Sequence, residues 1–149
     1  MQSESGMTLE QFLVLMAGDL ANEYKHMHFY LHSAIVVRGL HREELGEFFL
    51  KEAASEMKHV EDFGKMFLGM GGTPTGRVAD FPTDLTKVES ILAYIMQMED
   101  EVVQNYHHRM KQAEEIGTPQ GSVLHVFYEE QILDSRLTFN HICEMLRGV

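Results

Sequence analysis

The sequence contains a single cysteine, Cys143, no tryptophan and only three prolines. One cysteine excludes an intrachain disulfide framework, and the N-terminus lacks the basic-then-apolar pattern of a secretory signal, so a cytoplasmic location is expected. No apolar run approaches the ~20 residues that a membrane span requires, because charge or histidine interrupts every long apolar stretch. Basic residues are also scarce: 12 Lys and Arg stand against 23 Asp and Glu, a net charge of -11. That balance works against a nucleic-acid-binding surface and favours the attraction of cations, metals included. Scarce proline, absent tryptophan and 11 methionines look more like a helical protein than a sandwich of short strands. With 149 residues, 44% of them hydrophobic, one domain with a sizeable core is expected.

The punctuation of the chain divides it into an N-terminal tail, residues 1–7, expected to be disordered, and one all-α domain over residues 8–149. Thr8 and Gln11 fit a capping box, after which Leu13, Met16, Leu20, Met27, Tyr30, Ala34 and Val37 recur at steps of three and four, with a gap at Glu23. This predicts a first helix ending near Gly39. A second runs from about Arg42 to Leu68, with Leu45, Phe49, Ala53, Val60, Phe63 and Phe67 on one face, and stops at the glycines between 69 and 72. The third starts near Thr86 and buries Val88, Leu92, Ile95, Val102, Tyr106 and Met110. The fourth starts at Thr118 and Pro119, carries a stripe of Val123, Phe127, Leu137 and Met145, and ends near Arg147. Short links predict antiparallel hairpins for the first and last helix pairs. The link from Gly69 to Thr83 is long enough, at ~3.3 Å per residue, to run the length of a helix and start the third parallel to the second. The expected architecture is a four-helix bundle with one long crossover between the second and third helices.

The gaps in the stripes carry the chemistry. Glu23, Glu56, Glu99 and Glu130 each sit in the apolar face of one helix, close to mid-length. Four unpaired carboxylates in one apolar interior would cost far more than a stability margin of ~5 to 15 kcal/mol allows, so they must protonate, pair or bind metal. No Lys or Arg stands beside them on these stripes, whereas His59 follows Glu56 by three residues on the same face. Carboxylate-rich sites with one imidazole per ion suit iron or manganese better than zinc. The other histidines read differently: His26, His28 and His32 alternate along the first helix off its stripe, and His107 and His108 are adjacent on the third. These are expected at the surface or at a subunit contact. Most methionines are expected to fill the core, and Cys143 to be a buried small residue.

Glu23, Tyr30, the Glu-Met-Lys-His run at 56–59 and Glu99, with successive glutamates separated by 33 and 43 positions, resemble the di-iron centre of bacterioferritins and bacterial non-haem ferritins. The resemblance spans Thr8 to Leu146 and weakens on the fourth helix. Bacterioferritins carry a second Glu-x-x-His there, and this chain has none: Glu129 is followed three residues later by Ile132, and Glu130 by Leu133. The run from Glu130 and Gln131 to Asp134 is more similar to non-haem ferritins. On that register Gln131 and Asp134 approach the second metal, whereas the apolar stripe makes Glu130 the inward residue. Both alternatives stand, with Glu130 and Gln131 as the candidate ligands of the fourth helix. Met57 stands where bacterioferritins have a haem-ligating methionine, but non-haem ferritins also have Met there, so haem is not expected. Relatives that build large cages add a short fifth helix; this chain stops as the fourth ends, so the resemblance does not bring the cage with it.

What the resemblance implies is a ferroxidase that oxidises Fe(II) with O2 or peroxide at a centre of two iron ions and stores or detoxifies the product. Its metal ligands would be Glu23, Glu56, His59, Glu99 and Glu130 or Gln131, with Tyr30 donating its hydroxyl to a site carboxylate. A homo-oligomer is expected, with neither nucleic acid nor membrane as a partner. Two other functions fit the same residues: a rubrerythrin-like peroxidase or dimanganese catalase that stores no metal, and a structural or DNA-protecting helical assembly. The DNA-protecting form of the second is disfavoured by the absence of Lys and Arg from residues 1–7.

Overall fold

A computed structural model describes residues 6–147 of the chain; most of the expected tail, residues 1–5, lies outside the described residues. Four helices follow one another: α1 (Leu9–Val36), α2 (Arg42–Gly69), α3 (Val88–Ile116) and α4 (Pro119–Arg147). Among the described residues the only β pairing is a single parallel bridge between Arg38 and Lys87. The chain divides into two compact units. One is Leu13–Ile91, with most of α1, all of α2 and the crossover; the other takes the described residues up to Phe12 together with those from Leu92 onward.

The helix ends follow the sequence signals. The Thr8 amide donates to Gln11 Oε1 at 3.0 Å and the Gln11 amide donates to Thr8 Oγ1 at 3.1 Å, which completes the capping box at the start of α1. At the α1 C-terminus Arg42 reaches back, donating from Nε to the Val37 carbonyl at 2.9 Å and from a terminal nitrogen to that of Ile35 at 3.1 Å. One side chain thereby satisfies two carbonyls that a helix end leaves open. The α2 helix closes in a Schellman motif: Gly71 has φ +104°, its amide bonds the Leu68 carbonyl at 3.1 Å, and the Gly72 amide bonds that of Phe67 at 2.9 Å. The third helix begins two residues later than the sequence suggests, because Thr86 and Lys87 pair with Arg38 before it starts.

Within the first unit, α1 and α2 are antiparallel, since Gly46 near the start of α2 faces Ala34 while Gly71 at its end faces Leu13. The crossover then returns alongside α1. The Ala79 amide donates to the Ala21 carbonyl at 3.0 Å, His32 Nε2 lies 3.0 Å from the Thr83 carbonyl, and the Arg38 amide donates to that of Thr86 at 2.9 Å. The Phe81 ring stacks on His28 and meets Phe29 edge-on. The chain therefore reaches α3 at the end of the hairpin opposite to where α2 stopped, the topology expected for one long crossover. His28 and His32, expected at the surface or a subunit contact, are instead half-buried fasteners for this segment.

In the second unit, α3 and α4 form the other hairpin. Gly121 faces the Ala113 carbonyl, His125 Nδ1 lies 3.2 Å from that of Met110, and the Tyr128 ring meets Tyr106 edge-on at 4.9 Å. Phe12 also packs edge-on against Tyr128, at 5.7 Å. This aromatic cluster corrects the expected stripe of α4. The buried positions are Gly121, Leu124, Phe127, Tyr128, Gln131 and Ile142, whereas Val123 and Leu137 are about half exposed. With Tyr128 turned inward, the residue three further on, Gln131, shares its face.

Candidate metal centre

On α2, Glu56 has Phe49 and Phe63 two turns away on either side; both rings are fully buried, and the stripe carries Glu56 inward with them, leaving it 5% exposed. On α1 the same logic applies to Glu23, seven residues from the fully buried Met16 and Tyr30 and itself 4% exposed. His59 follows Glu56 by one turn, its Nδ1 3.4 Å from Glu56 Oε2. Ligand atoms of Glu23, Glu56 and His59 lie within 4.8 Å of one another. Two helices thus bring together three of the expected ligands.

The α2 lysines nearest in sequence are engaged at the surface. Lys58, adjacent to His59 in sequence, points outward and bonds Asp62 at 2.8 Å, and Lys65 bonds Glu61 at 2.7 Å. Those partners hold the Lys58 ammonium above, and the Glu61 carboxyl below, their usual ranges. Two buried carboxylates and an imidazole within 4.8 Å are a costly arrangement in an apolar interior unless a cation joins them. The donors are oxygen-rich with one nitrogen and no thiolate, which fits iron or manganese and does not fit a closed zinc site.

The remaining expected residues are placed as follows. Glu99 is fully buried at the middle of α3, and Tyr30 is fully buried on α1. Gln131 is buried on α4, but Glu130 is exposed, as are Glu129 and Asp134. The inward position that the apolar stripe assigned to Glu130 therefore belongs to Gln131. One residue was missed. His26, expected at the surface, is 2% exposed, and one of its ring nitrogens lies within 4.8 Å of a Glu56 carboxylate oxygen. A second buried track on α1, through Phe12, Asp19, His26 and Ser33, explains the error: three of its four side chains are polar and look like a solvated face. The signal was present, because Glu23-Tyr24-Lys25-His26 is itself a Glu-x-x-His.

A family model described as a ferritin-like domain matches residues 15–148, nearly the whole chain. The protein belongs to the ferritin-like family. Among solved structures, this ferritin-like chain is similar to a ferritin-like, diiron-carboxylate protein of Bacillus anthracis, with 27% identity, a TM-score of 0.84, and 97% of this chain and 99% of that one covered. It also resembles BfrA of Mycobacterium tuberculosis (19% identity, TM-score 0.80, 98% and 86% covered) and a Dps protein of Bacillus brevis (14%, 0.85, 98% and 99%). These last two show the shared fold, that of the ferritin-like four-helix bundle. No curated protein matches the sequence.

Proposed function

We propose that this ferritin-like protein is a ferroxidase: it takes Fe(II) as substrate at a dinuclear carboxylate centre, oxidises it with O2 or peroxide, and passes Fe(III) on to storage or detoxification. The observation that carries this reading is the group of two buried carboxylates, Glu23 and Glu56, with the half-buried His59, ligand atoms within 4.8 Å, in a chain of this family. The Bacillus anthracis relative, described as a diiron-carboxylate protein, supports iron as the metal.

In this reading Glu56 bridges two ions and Glu23 with His59 completes the site of one. The family resemblance makes Glu99 and Gln131, each buried on its own helix, the candidate donors for the other, and the buried Tyr30 offers its hydroxyl to a site carboxylate. Each bound Fe(II) gives one electron to the oxidant; the protein's own task is to hold two ions close together and keep bulk water out. Exposed apolar side chains at Leu31 and Ile35 on α1 and at Leu50 and Met57 on α2 support a homo-oligomer. Among the described residues no helix is long and apolar enough to cross a membrane, and a cytoplasmic location completes the proposal.

The test is rapid mixing of anaerobic Fe(II)-loaded protein with O2 or peroxide, compared with Glu56→Ala. The variant should lose rapid oxidation while its circular dichroism stays helical; unchanged kinetics reject the assignment. Iron retained by the wild type after desalting separates storage from oxidation alone.

A further inference from the structure

The pairing of Glu23 with His26 is not used by the ligand set above. The two residues are three apart on α1, so their side chains leave the helix as neighbours, and both are almost fully buried, at 4% and 2% exposure. Glu56 is common to two groups: its carboxylate lies within 4.8 Å of ligand atoms of Glu23 and His59, and within the same distance of a His26 ring nitrogen. Inside the Leu13–Ile91 unit, then, each of two antiparallel helices presents one Glu-x-x-His, and both motifs converge on one carboxylate.

We infer that His26 is a direct ligand of the second metal ion, the nitrogen donor that α4 does not provide. The inference rests on the dinuclear reading proposed above. Ferritin-like di-metal centres combine a Glu from each of two helices with a Glu-x-x-His from each of the other two, one imidazole per ion. Here α4 has no histidine near its buried face at mid-length: the position it presents is Gln131, and Ile132 and Leu133 follow the two glutamates at the motif spacing. Relocating the second motif to α1 keeps the count at two carboxylate-imidazole pairs. The other histidines of α1 do not compete for this role, because His28 stacks on Phe81 and His32 meets the Thr83 carbonyl. Only His26 of the three is buried with the carboxylates.

A ligand and a positioning residue that merely orients Glu56 behave differently when Co(II) replaces iron. Anaerobic Co(II) titration of the full-length protein, followed by visible absorption and by the hyperfine-shifted imidazole N–H resonances, counts ions and imidazole ligands separately. The wild type should bind two Co(II) per chain and show two shifted N–H signals. His26→Ala should show one, with the second ion weakened by more than about 100-fold, beyond what loss of an outer-shell partner costs. Imidazole added to His26→Gly should restore the second signal. His26→Asn provides the same comparison should the Ala variant fail to fold. Two ions and two shifted N–H signals in a folded His26 variant overturn the inference. A wild type that binds fewer than two ions, or a Glu56→Ala variant that still binds two, overturns the dinuclear reading itself, a result distinct from the first.

Discussion

His59 Nδ1 stands 3.4 Å from Oε2 of Glu56, one turn earlier on α2, and Glu23 of α1 reaches the same place. Two carboxylates held this close in a buried setting repel each other when both are ionised, so the arrangement costs stability unless a cation joins them.

Glu56→Gln should therefore raise the melting temperature of the metal-free protein by an amount equivalent to about 1 kcal/mol or more, since it removes a buried charge and keeps the shape. The same variant should lose the stabilisation that metal brings, ~2.7 kcal/mol at a hundred times the dissociation constant. Thermal melts with and without Mn(II), which no oxidant complicates, check both signs. A variant that is less stable without metal, yet still stabilised by it, contradicts the account.

On α4, Gln131 is buried and Glu130 is exposed. Gln131→Leu, which fits the buried face but offers no donor, should weaken binding of the second metal and slow oxidation by on the order of tenfold or more. Glu130→Ala should change neither. Glu99→Ala is the control for α3 and should match Gln131→Leu or exceed it. Metal titrations of the three variants decide the matter, and a larger effect from Glu130 than from Gln131 restores the register suggested by the apolar stripe.

How far the sequence disclosed these features depended on how cleanly each helix separates its faces. On α2 the expected apolar stripe is also the buried one: Phe49, Ala53, Val60, Phe63 and Phe67 are buried with Glu56 among them, although Leu50, Met57 and Leu68 are exposed. Its terminus was equally plain, because glycines at 71 and 72 suit the backbone of a Schellman motif. The α1 helix buries more than one track, and the second is written mostly in polar letters, Asp19, His26 and Ser33, which periodicity reads as solvent-facing. On α4 apolar residues occur on both faces, with Val123, Val126, Leu133 and Leu137 exposed and Leu124, Phe127 and Ile142 buried. Periodicity then fixes the register only to within one residue. What settled it was a tertiary contact, Tyr128 against Tyr106, that no local pattern encodes.

The crossover is held to α1 by a few contacts near Phe81 and Thr83, with half-buried residues between them. Phe81→Ala should loosen this segment without touching the carboxylates. Amide exchange at Ala79, whose N–H is bonded to the Ala21 carbonyl, should accelerate by an order of magnitude or more, while exchange within α2 should hardly change. Metal binding should remain at the wild-type level. Accelerated exchange across α2 would mean that the crossover and the hairpin open together, against this account.

Two glycines within the helices offer a final contrast, one in the first turn of α4 and one inside α2. A Cβ added at Gly121 would come to 2.5 Å from the Ala113 carbonyl oxygen and 3.1 Å from Ile116, atoms that cannot swing aside as the end of a flexible side chain would. The glycine lets α4 leave the Gly117 turn close against the end of α3. Gly121→Ala should consequently cost on the order of 1 to 3 kcal/mol, the range for overpacking that backbone must absorb. At Gly64 in α2 an added Cβ meets nothing within 4 Å, so Gly64→Ala should stabilise by up to ~1 kcal/mol through helix propensity alone. Denaturant melts of the two variants should therefore shift in opposite directions. Shifts of the same sign would show that the close approach at Ala113 does not distinguish the two positions.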